Sequence, residues 1–316
     1  MAVVPRTRGG LVKFRPVESG ARVALVAPAS PFAQDAFEAG LTELRRIGLE
    51  PVFDARILAS HPIVAGPAGE RAAVLADALA RPDVDAVIAI RGGYGSAEVL
   101  PHLDASAFRR SRKAVVGYSD VTALHAFLNG HVRMTSVHGA MVDGRLSKGP
   151  AAYDVATFLN SLRAAPLGEM TYEGLEVVRG GEAAGPIVGG TLTQLAASLG
   201  TPHEFLPPAR HVLFLEDVSE RPYRIRRLLT QFQQSGRLAS ASAVIFGEMI
   251  GCDEPGGLVT ARDVVREFFA DFPGPVLFGF PSGHTTTPTL SFPLGVETRV
   301  VATGTPRVVF TEAAAE

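Results

Sequence analysis

Short apolar runs alternate with segments of helical periodicity through the first half of this chain of 316 residues. Runs typical of buried strands lie at residues 23–27, 51–53, 84–90, 115–116 and 132–137. Between them, residues 37–47 and 71–79 place apolar or alanine side chains at helical spacing. Because strands separated by helices pair in parallel, the alternation predicts an α/β fold with a doubly wound, flavodoxin-like sheet in residues 1–145. Ligands of such sheets bind beyond the carboxyl ends of the strands.

The pattern changes in the second half of the chain. Residues 146–185 carry one helical segment, at 151–162, together with a glycine pair, and are predicted to be a linker region. After it, an amphipathic helix at 222–235 and a helix at 261–269 separate short apolar strands. The last of these strands lie at 276–278, 290–292, 298–302 and 307–310. We therefore predict that residues 186–316 form a separate, β-rich α+β domain that is barrel-like.

The composition argues against several classes of protein. Lys and Arg number 30 against 32 Asp and Glu, so the net charge of −2 gives no basis for binding nucleic acid. No run of about 18 apolar residues occurs, so no membrane span is predicted. The first residues lack the apolar core of a signal peptide, and a cytoplasmic location is expected. The single Cys252 cannot form an internal disulfide, and it is either an incidental loop thiol or a nucleophile.

A serine occupies a tight turn between an apolar strand and a helical segment, in Gly117-Tyr118-Ser119-Asp120. A side chain at such a turn is held out of the sheet, and the next backbone N–H can face a developing oxyanion. The usual pattern for a nucleophile of this kind is G-x-S-x-G, whereas position 121 is Val. Ser119 is therefore either a nucleophile or part of a plain turn that caps the helix.

A serine nucleophile needs a base, and the base needs an acid that orients it. Of the eight histidines, His284 lies in a polar Gly/Thr loop between two apolar strands, and His138 lies at the end of another strand. Glu216 ends an unbroken apolar strand, where a carboxylate is costly unless it has a partner. A structural ion pair is the alternative explanation for Glu216 and for its neighbour Asp217.

A glycine-rich loop, Arg91-Gly92-Gly93-Tyr94-Gly95, follows the apolar run at 84–90. Its spacing differs from the G-x-G-x-x-G of a dinucleotide site, so nucleotide binding is not predicted. A glycine N–H from this loop beside Ser119 would complete an oxyanion hole. Arg91 is a candidate for binding a substrate carboxylate, with a structural ion pair as the alternative. No motif has the spacing of metal ligands, and no metal site is predicted.

Together, these segments resemble those of the LD-carboxypeptidase family of serine peptidases, which includes the microcin-immunity-type peptidases. Besides the glycine-rich loop and the turn at Ser119, the resemblance is carried by Ala27-Pro28-Ala29-Ser30, Val137-His138-Gly139, Gly189-Gly190-Thr191, Leu215-Glu216-Asp217, Pro222-Tyr223-Arg224-Ile225 and Gly283-His284-Thr285. It covers residues 21–304, which is nearly the whole chain. The resemblance implies a catalytic triad of Ser119, Glu216 and His284. It also implies an oxyanion hole formed by the N–H groups of Asp120 and Gly93.

The resemblance further implies a hydrolase that removes a D-amino acid from an L-centre, as in the release of D-Ala from a cytoplasmic murein tetrapeptide during cell-wall recycling. It implies that no cofactor is needed and that the protein is a homodimer. The candidates for contact with the substrate are Arg91, Gly92, Tyr94 and His138, the last with a pocket or structural role.

Two residues depart from the family pattern and leave the substrate preference open. Many relatives resemble R-G-G-Y-G-x-x-R in the glycine-rich loop, and Glu98 replaces the final Arg of that motif. An acidic residue often follows P-Y-R-I in relatives, and Arg226 replaces it here. One alternative function is a microcin-immunity-type amidase or peptidase that cleaves an acylated nucleotide or a peptide antibiotic. A nucleobase would favour an aromatic pocket, whereas the chain has no Trp and 7% aromatic residues. The other alternative is a non-enzymatic protein that binds a small ligand on the same scaffold.

Overall fold

A computed structural model describes residues 10–59 and 61–316 of the chain. The strands in this part are β1 (Arg22–Val26), β2 (Glu50–Phe53), β3 (Ala86–Ala89), β4 (Ala114–Gly117), β5 (Ser136–His138), β6 (Gly168–Met170), β7 (Glu176–Arg179), β8 (Glu182–Thr191), β9 (His211–Glu216), β10 (Ala241–Gly247), β11 (Val276–Phe280), β12 (Phe292–Leu294), β13 (Glu297–Val301) and β14 (Arg307–Phe310). The α-helices are α1 (Gln34–Arg46), α2 (Ala68–Ala80), α3 (Ser96–Val99), α4 (Ala105–Ser111), α5 (Thr122–Phe127), α6 (Val155–Asn160), α7 (Leu192–Ser198), α8 (Pro222–Gln234) and α9 (Ala261–Phe268). No helix among these residues is long and apolar enough to cross a membrane.

The first sheet has the order β12-β5-β4-β3-β1-β2. Its strands β1 to β5 pair in parallel in the flavodoxin-like order, with β12 antiparallel at the edge beside β5. The inner strands β1, β3 and β4 are buried, as expected when helices cover both faces of a sheet. The α/β class and the doubly wound sheet predicted from the sequence are confirmed.

The second sheet has eight strands in the order β6-β14-β13-β8-β9-β10-β11-β7. Strands β8 to β11 are parallel, and the outer pairs are antiparallel. This separate sheet confirms a β-rich second part of the chain. Two of its strands, β6 and β7, come from the segment 146–185 that the sequence suggested as a linker, and β12 returns to the first sheet. The division into 1–145, 146–185 and 186–316 stays a prediction.

The two sheets share apolar contacts. The ring of Phe292 on β12 packs edge-on against Phe214 on β9, with ring centroids 5.0 Å apart. Phe292 also stacks on His138 at the end of β5, at 5.2 Å. Because aromatic rings bury large areas, this contact fixes the carboxyl end of the first sheet relative to β9.

Three predicted elements differ in their bounds. The run 132–137 begins in a π-helical turn, Leu128–Val132, that continues α5, so the strand is only β5. The helix expected at 151–162 is shortened to α6, because the Asp154 carboxylate accepts a bond from the Thr157 N–H at 2.7 Å and caps the helix there. The strand expected at 290–292 is β12 and begins two residues later.

Candidate active site

A buried carboxylate and a histidine are paired between β9 and the loop that precedes β12. Glu216 is the last residue of β9 and is fully buried. Its Oε2 lies 2.7 Å from His284 Nδ1 and also accepts a bond from the His284 backbone N–H at 3.0 Å. The other oxygen, Oε1, accepts a bond from the Thr191 hydroxyl. Both carboxylate oxygens are therefore satisfied, and His284 Nε2 is the ring nitrogen left to face a reacting group.

The two ionisable groups stabilise each other's charged forms. Burial alone would raise the pKa of Glu216, but the charge and the hydrogen bond of His284 outweigh it and hold that pKa at about 2. Burial would lower the pKa of His284, and the charge and hydrogen bond of Glu216 reverse this, so that the pKa lies above its ordinary value. The arrangement is suited to a base whose protonated form is stabilised by a fixed acid.

The glycine before His284 allows this close pairing. Gly283 has φ +83, and a Cβ at this residue would lie 2.7 Å from Glu216 Oε2. Only glycine combines that backbone conformation with the close approach.

Gly283→Ala tests this requirement. We expect a loss of stability of about 1–2 kcal/mol from the left-handed backbone, and a loss of activity of roughly tenfold or more as Glu216 is displaced. Gly236→Ala is the matched control, because Gly236 has φ +75 but nothing within 4 Å of its Cβ position. Thermal unfolding and kcat/KM should show a stability loss in both variants and an activity loss in Gly283→Ala alone; equal activities would contradict the account.

Ser119 lies in the turn between β4 and α5 in a strained backbone conformation. Its φ is +62, which is uncommon for a residue other than glycine and often marks functional sites. The ring of the preceding Tyr118 meets the His284 ring edge-on, with centroids 5.2 Å apart. The turn therefore lies beside the loop at residues 283–287 that carries His284, here called the base loop, although the two are far apart in the sequence.

The glycine-rich loop packs directly on this turn. A Cβ at Gly92 would lie 2.9 Å from Ser119 Cβ and 3.3 Å from the Asp120 backbone nitrogen. The Asp120 carboxylate accepts a bond from the Ser96 N–H at 2.7 Å and so ties the end of the loop to the serine turn. Backbone groups of both segments thus surround Ser119.

A short hydrogen-bonded path connects the serine turn with the acid. The hydroxyl of Thr122, at the start of α5, accepts a bond from the Thr191 N–H at 3.0 Å. The hydroxyl of Thr191 in turn donates to Glu216. Thr191 and Glu216 are also register partners at the ends of β8 and β9. These bonds fix α5, which follows β4 of the first sheet, relative to the Glu216 carboxylate at the end of β9 in the second sheet.

The predicted site residues of the glycine-rich loop differ in their exposure and contacts. Gly93 has φ +98 and faces Ser30, and Tyr94 is 54% exposed. Arg91 is half-exposed, donates to the Pro31 carbonyl at 2.7 Å and lies 3.9 Å from Asp143.

His138 and Asp217 are buried and engaged elsewhere. His138 Nδ1 bonds to the Ser282 hydroxyl at 3.1 Å and is fully buried, so that its ring presents no open surface to a ligand. The Asp217 carboxylate accepts bonds from the Thr193 N–H and hydroxyl, at 2.8 and 2.6 Å, at the start of α7. Burial raises the pKa of Asp217 to about 6.

Thr191 and Glu248 hold parts of the site together and were not predicted as site residues from the sequence. Thr191 bonds to Glu216, and Glu248 accepts bonds from the backbone and hydroxyl of Thr286 at 2.9 Å and from the Thr287 hydroxyl at 2.8 Å. The signal for Glu248 was present, because it follows the apolar strand β10 as Glu216 ends β9. The signal for Thr191 was the pair of glycines before it. Within residues 10–59 and 61–316, no group of three His, Cys, Asp or Glu side chains is arranged to hold a metal ion.

Comparison with known proteins identifies the family to which this chain belongs. Residues 23–139 match the LD-carboxypeptidase N-terminal domain, and residues 184–300 match the LD-carboxypeptidase C-terminal domain. The chain therefore belongs to the LD-carboxypeptidase family, as the sequence resemblance indicated. It is accordingly an enzyme, a serine-type carboxypeptidase of the hydrolase class.

Individual relatives cover most of the chain. A putative carboxypeptidase of Streptomyces coelicolor is 36% identical over 311 residues, covering 93% of this chain and 95% of that protein. The murein tetrapeptide carboxypeptidase of Pseudomonas aeruginosa is 31% identical over 278 residues, covering 86% and 90%. The structure of MccF in complex with glutamyl sulfamoyl guanosine superposes with a TM-score of 0.89 at 23% identity, covering 96% of this chain and all of that one. At 23% identity, the likeness to the MccF structure shows a shared fold alone.

Proposed function

We propose that Ser119, His284 and Glu216 form a catalytic triad that hydrolyses an LD-peptide bond, with release of the terminal D-Ala from a murein tetrapeptide. The observation that carries the proposal is the pairing of the buried Glu216 with His284 Nδ1 at 2.7 Å, beside the strained serine turn. A buried carboxylate with both oxygens engaged by the base and its neighbours is the arrangement that orients a catalytic histidine. The murein tetrapeptide carboxypeptidase among the relatives supports the substrate class.

The reaction follows from these positions. His284 Nε2 takes the proton of Ser119 as its oxygen attacks the carbonyl carbon of the LD-bond. Glu216 holds the imidazole with Nδ1–H toward itself and stabilises the imidazolium that forms. His284 then gives the proton to the departing amine of D-Ala. Water, deprotonated by the same histidine, cleaves the acyl-enzyme and restores Ser119.

Backbone donors stabilise the charge that develops on the carbonyl oxygen. We assign this role to the N–H groups of Asp120 and Gly93, since the glycine-rich loop packs on the serine turn. Backbone donors that are already fixed need no reorganisation during the reaction, which makes them effective in a water-poor site.

Recognition of the substrate's free carboxylate is assigned to Arg91. Its guanidinium is half-exposed near the glycine-rich loop, and the 3.9 Å separation from Asp143 leaves its charge only partly compensated. Gly92 and Tyr94 are expected to line the same entrance. By the same family resemblance, we expect a cytoplasmic, homodimeric enzyme that acts in the recycling of wall peptides.

The pH dependence of the reaction provides a first check. His284 acts as a base only when neutral, and its folded-state pKa is raised above 6.5. As the pH falls through that raised pKa, the base becomes protonated, so kcat/KM should fall with a midpoint above 6.5. Glu216, with a pKa of about 2, stays ionised throughout. A pH profile with its acidic midpoint at or below 6.5, on protein shown to be folded, would contradict the assignment of His284.

A substrate panel tests the function itself. The purified protein is incubated with a murein tetrapeptide and, separately, with an aminoacyl sulfamoyl nucleoside, and the products are identified by mass spectrometry. Cleavage of the tetrapeptide to tripeptide and D-Ala is expected. Cleavage of the nucleoside conjugate alone would favour the microcin-immunity-type function instead, and cleavage of neither would contradict both substrate assignments.

A further inference from the structure

Arg145 contacts the chain on both sides of His284. Its Nη2 donates to the Gly283 carbonyl at 2.9 Å, and to the Thr285 carbonyl and hydroxyl at 3.1 Å. Its Nη1 donates to the Ala152 carbonyl at 3.3 Å. Because the guanidinium is planar and its N–H donors point in fixed directions, one side chain can bond to acceptors on separate segments of the chain.

The charge of Arg145 also acts on the serine turn. Burial raises the pKa of the Tyr118 hydroxyl, and the charge and hydrogen bond of Arg145 oppose that rise. The Tyr118 ring meets the His284 ring edge-on, and the next residue in the chain is Ser119. Arg145 therefore bonds to the loop that carries the base, and the residue before the nucleophile packs on the histidine of that loop.

The base loop, residues 283–287, is held from two directions. Arg145 holds the part next to His284, and Glu248 holds the far end through Thr286 and Thr287. The two contacts differ in consequence, because Arg145 bonds to the carbonyls of the two residues next to His284, whereas Glu248 bonds further along the loop. Movement of the backbone at these two neighbours would turn the ring away from Ser119.

We propose that Arg145 is a positioning residue that fixes the backbone on both sides of His284 against the serine turn, so that the imidazole faces Ser119. Its kinetic consequence rests on the proposed function, whereas its effect on the imidazole does not depend on any particular substrate. Displacement of a well-placed base by about 1 Å costs roughly a hundredfold in rate. This figure sets the size of the expected effect on kcat.

The charge of Arg145 gives a second, independent readout. The charged groups that face His284 are Glu216 and Asp217, which raise its pKa, and Arg145, which lowers it together with burial; the neutral His138 lies behind. Removing the Arg145 charge should therefore raise the pKa of His284 further. This rise reports that the charge lies near the imidazole, whereas a fall in kcat at unchanged KM reports the positioning of the ring.

The test compares Arg145→Gln, Arg145→Lys and the control Arg112→Gln. Arg112 also donates to backbone carbonyls, those of Lys13 and Glu316, but lies at the opposite end of the first sheet. The pKa of His284 is read by NMR of 13C-labelled histidine, and kcat and KM are measured on the tetrapeptide. Arg145→Gln should lower kcat by roughly a hundredfold with little change in KM and raise the pKa of His284. Arg145→Lys should keep the pKa while still lowering kcat, and Arg112→Gln should change neither.

The outcomes separate this inference from the proposed function. A folded Arg145→Gln protein with wild-type kcat would overturn the positioning role, whatever the pKa of its His284. If Arg145→Gln does not fold, Arg145→Lys decides, since wild-type kcat in that variant overturns the role and a lowered kcat at unchanged pKa supports it. If the wild-type protein does not cleave the tetrapeptide, the proposed function fails, and the NMR signal of the His284 Nδ1–H that bonds to Glu216 decides the role of Arg145: its loss in Arg145→Gln supports the positioning role, and its retention overturns that role.

Discussion

Replacing Ser119 with alanine is expected to abolish hydrolysis while leaving the fold and the binding of substrate in place. The hydroxyl oxygen forms the bond to the substrate carbonyl, and alanine has no atom that can replace it. The alanine methyl fits the same turn, so a stability change within about 1 kcal/mol is expected. The backbone donors of Asp120 and the glycine-rich loop remain, and so does Arg91, so affinity for the peptide should persist.

Turnover of an LD-linked tetrapeptide and calorimetric binding of the same peptide are measured together on Ser119→Ala. Ser219→Ala serves as the stability control, because Ser219 has a similar left-handed backbone, with φ +58. Unchanged turnover in Ser119→Ala would exclude this serine as the nucleophile. Loss of binding together with turnover, in a folded variant, would exclude the separation of roles proposed here.

Replacing Glu216 with glutamine is expected to lower turnover by roughly two to four orders of magnitude. Glutamine is nearly the same size and keeps an oxygen near His284, but it carries no charge to stabilise the imidazolium. Because the acid becomes neutral rather than being removed, no unpaired buried carboxylate is created and the fold should persist. The pKa of His284 should fall, since Glu216 is the main group that raises it.

Two matched variants define the specificity of that effect. Glu248→Gln changes a carboxylate that follows the neighbouring strand and holds the same loop, and its loss of kcat should be much smaller. Asp217→Asn changes the carboxylate next to Glu216, which caps α7 and does not contact the base. Near-native turnover in Glu216→Gln, with a large loss in Asp217→Asn, would show that Asp217 orients the base.

Much of the scaffold could be predicted because its signals are local. The apolar runs and helical periods of the first half lie within single elements, and they predicted the parallel sheet. Glu216 was identified because a carboxylate at the end of a buried strand needs a partner. His284 was identified because a polar loop between two apolar strands is exposed enough to carry a functional residue.

The contacts that complete the site could not be predicted, because they join residues far apart in the chain. Thr191 meets Thr122 across 69 positions, and Arg145 meets Thr285 across 140. No local pattern specifies which backbone carbonyl an arginine will reach. The return of β12 to the first sheet was missed for the same reason, since an antiparallel edge strand leaves no periodic signal in the segment that it joins.

The contacts of Glu98 and Arg226, the two residues that depart from the family pattern, could not be predicted either. Glu98 pairs with the buried Arg71, at 2.5 Å, and Arg71 also donates to the carbonyls of Gly66, Pro28 and Gly95. Glu98 thereby belongs to the support of the glycine-rich loop. Arg226 forms a surface ion pair with Glu267 at 2.9 Å, a kind of contact that contributes little to stability. Neither role could be assigned without knowing which helix packs against which loop.

Stereospecific release of D-Ala is the decisive measurement for the proposed reaction. Folded wild-type protein is incubated with two tetrapeptides that differ only in the configuration of the terminal alanine, and free alanine is quantified by chiral chromatography, with Ser119→Ala run in parallel. We expect that wild-type protein releases D-Ala, that the L-terminated peptide is not cleaved, and that Ser119→Ala releases neither. Absence of D-Ala release by the wild-type protein, or its equal release by Ser119→Ala, would contradict hydrolysis of the LD-bond by Ser119.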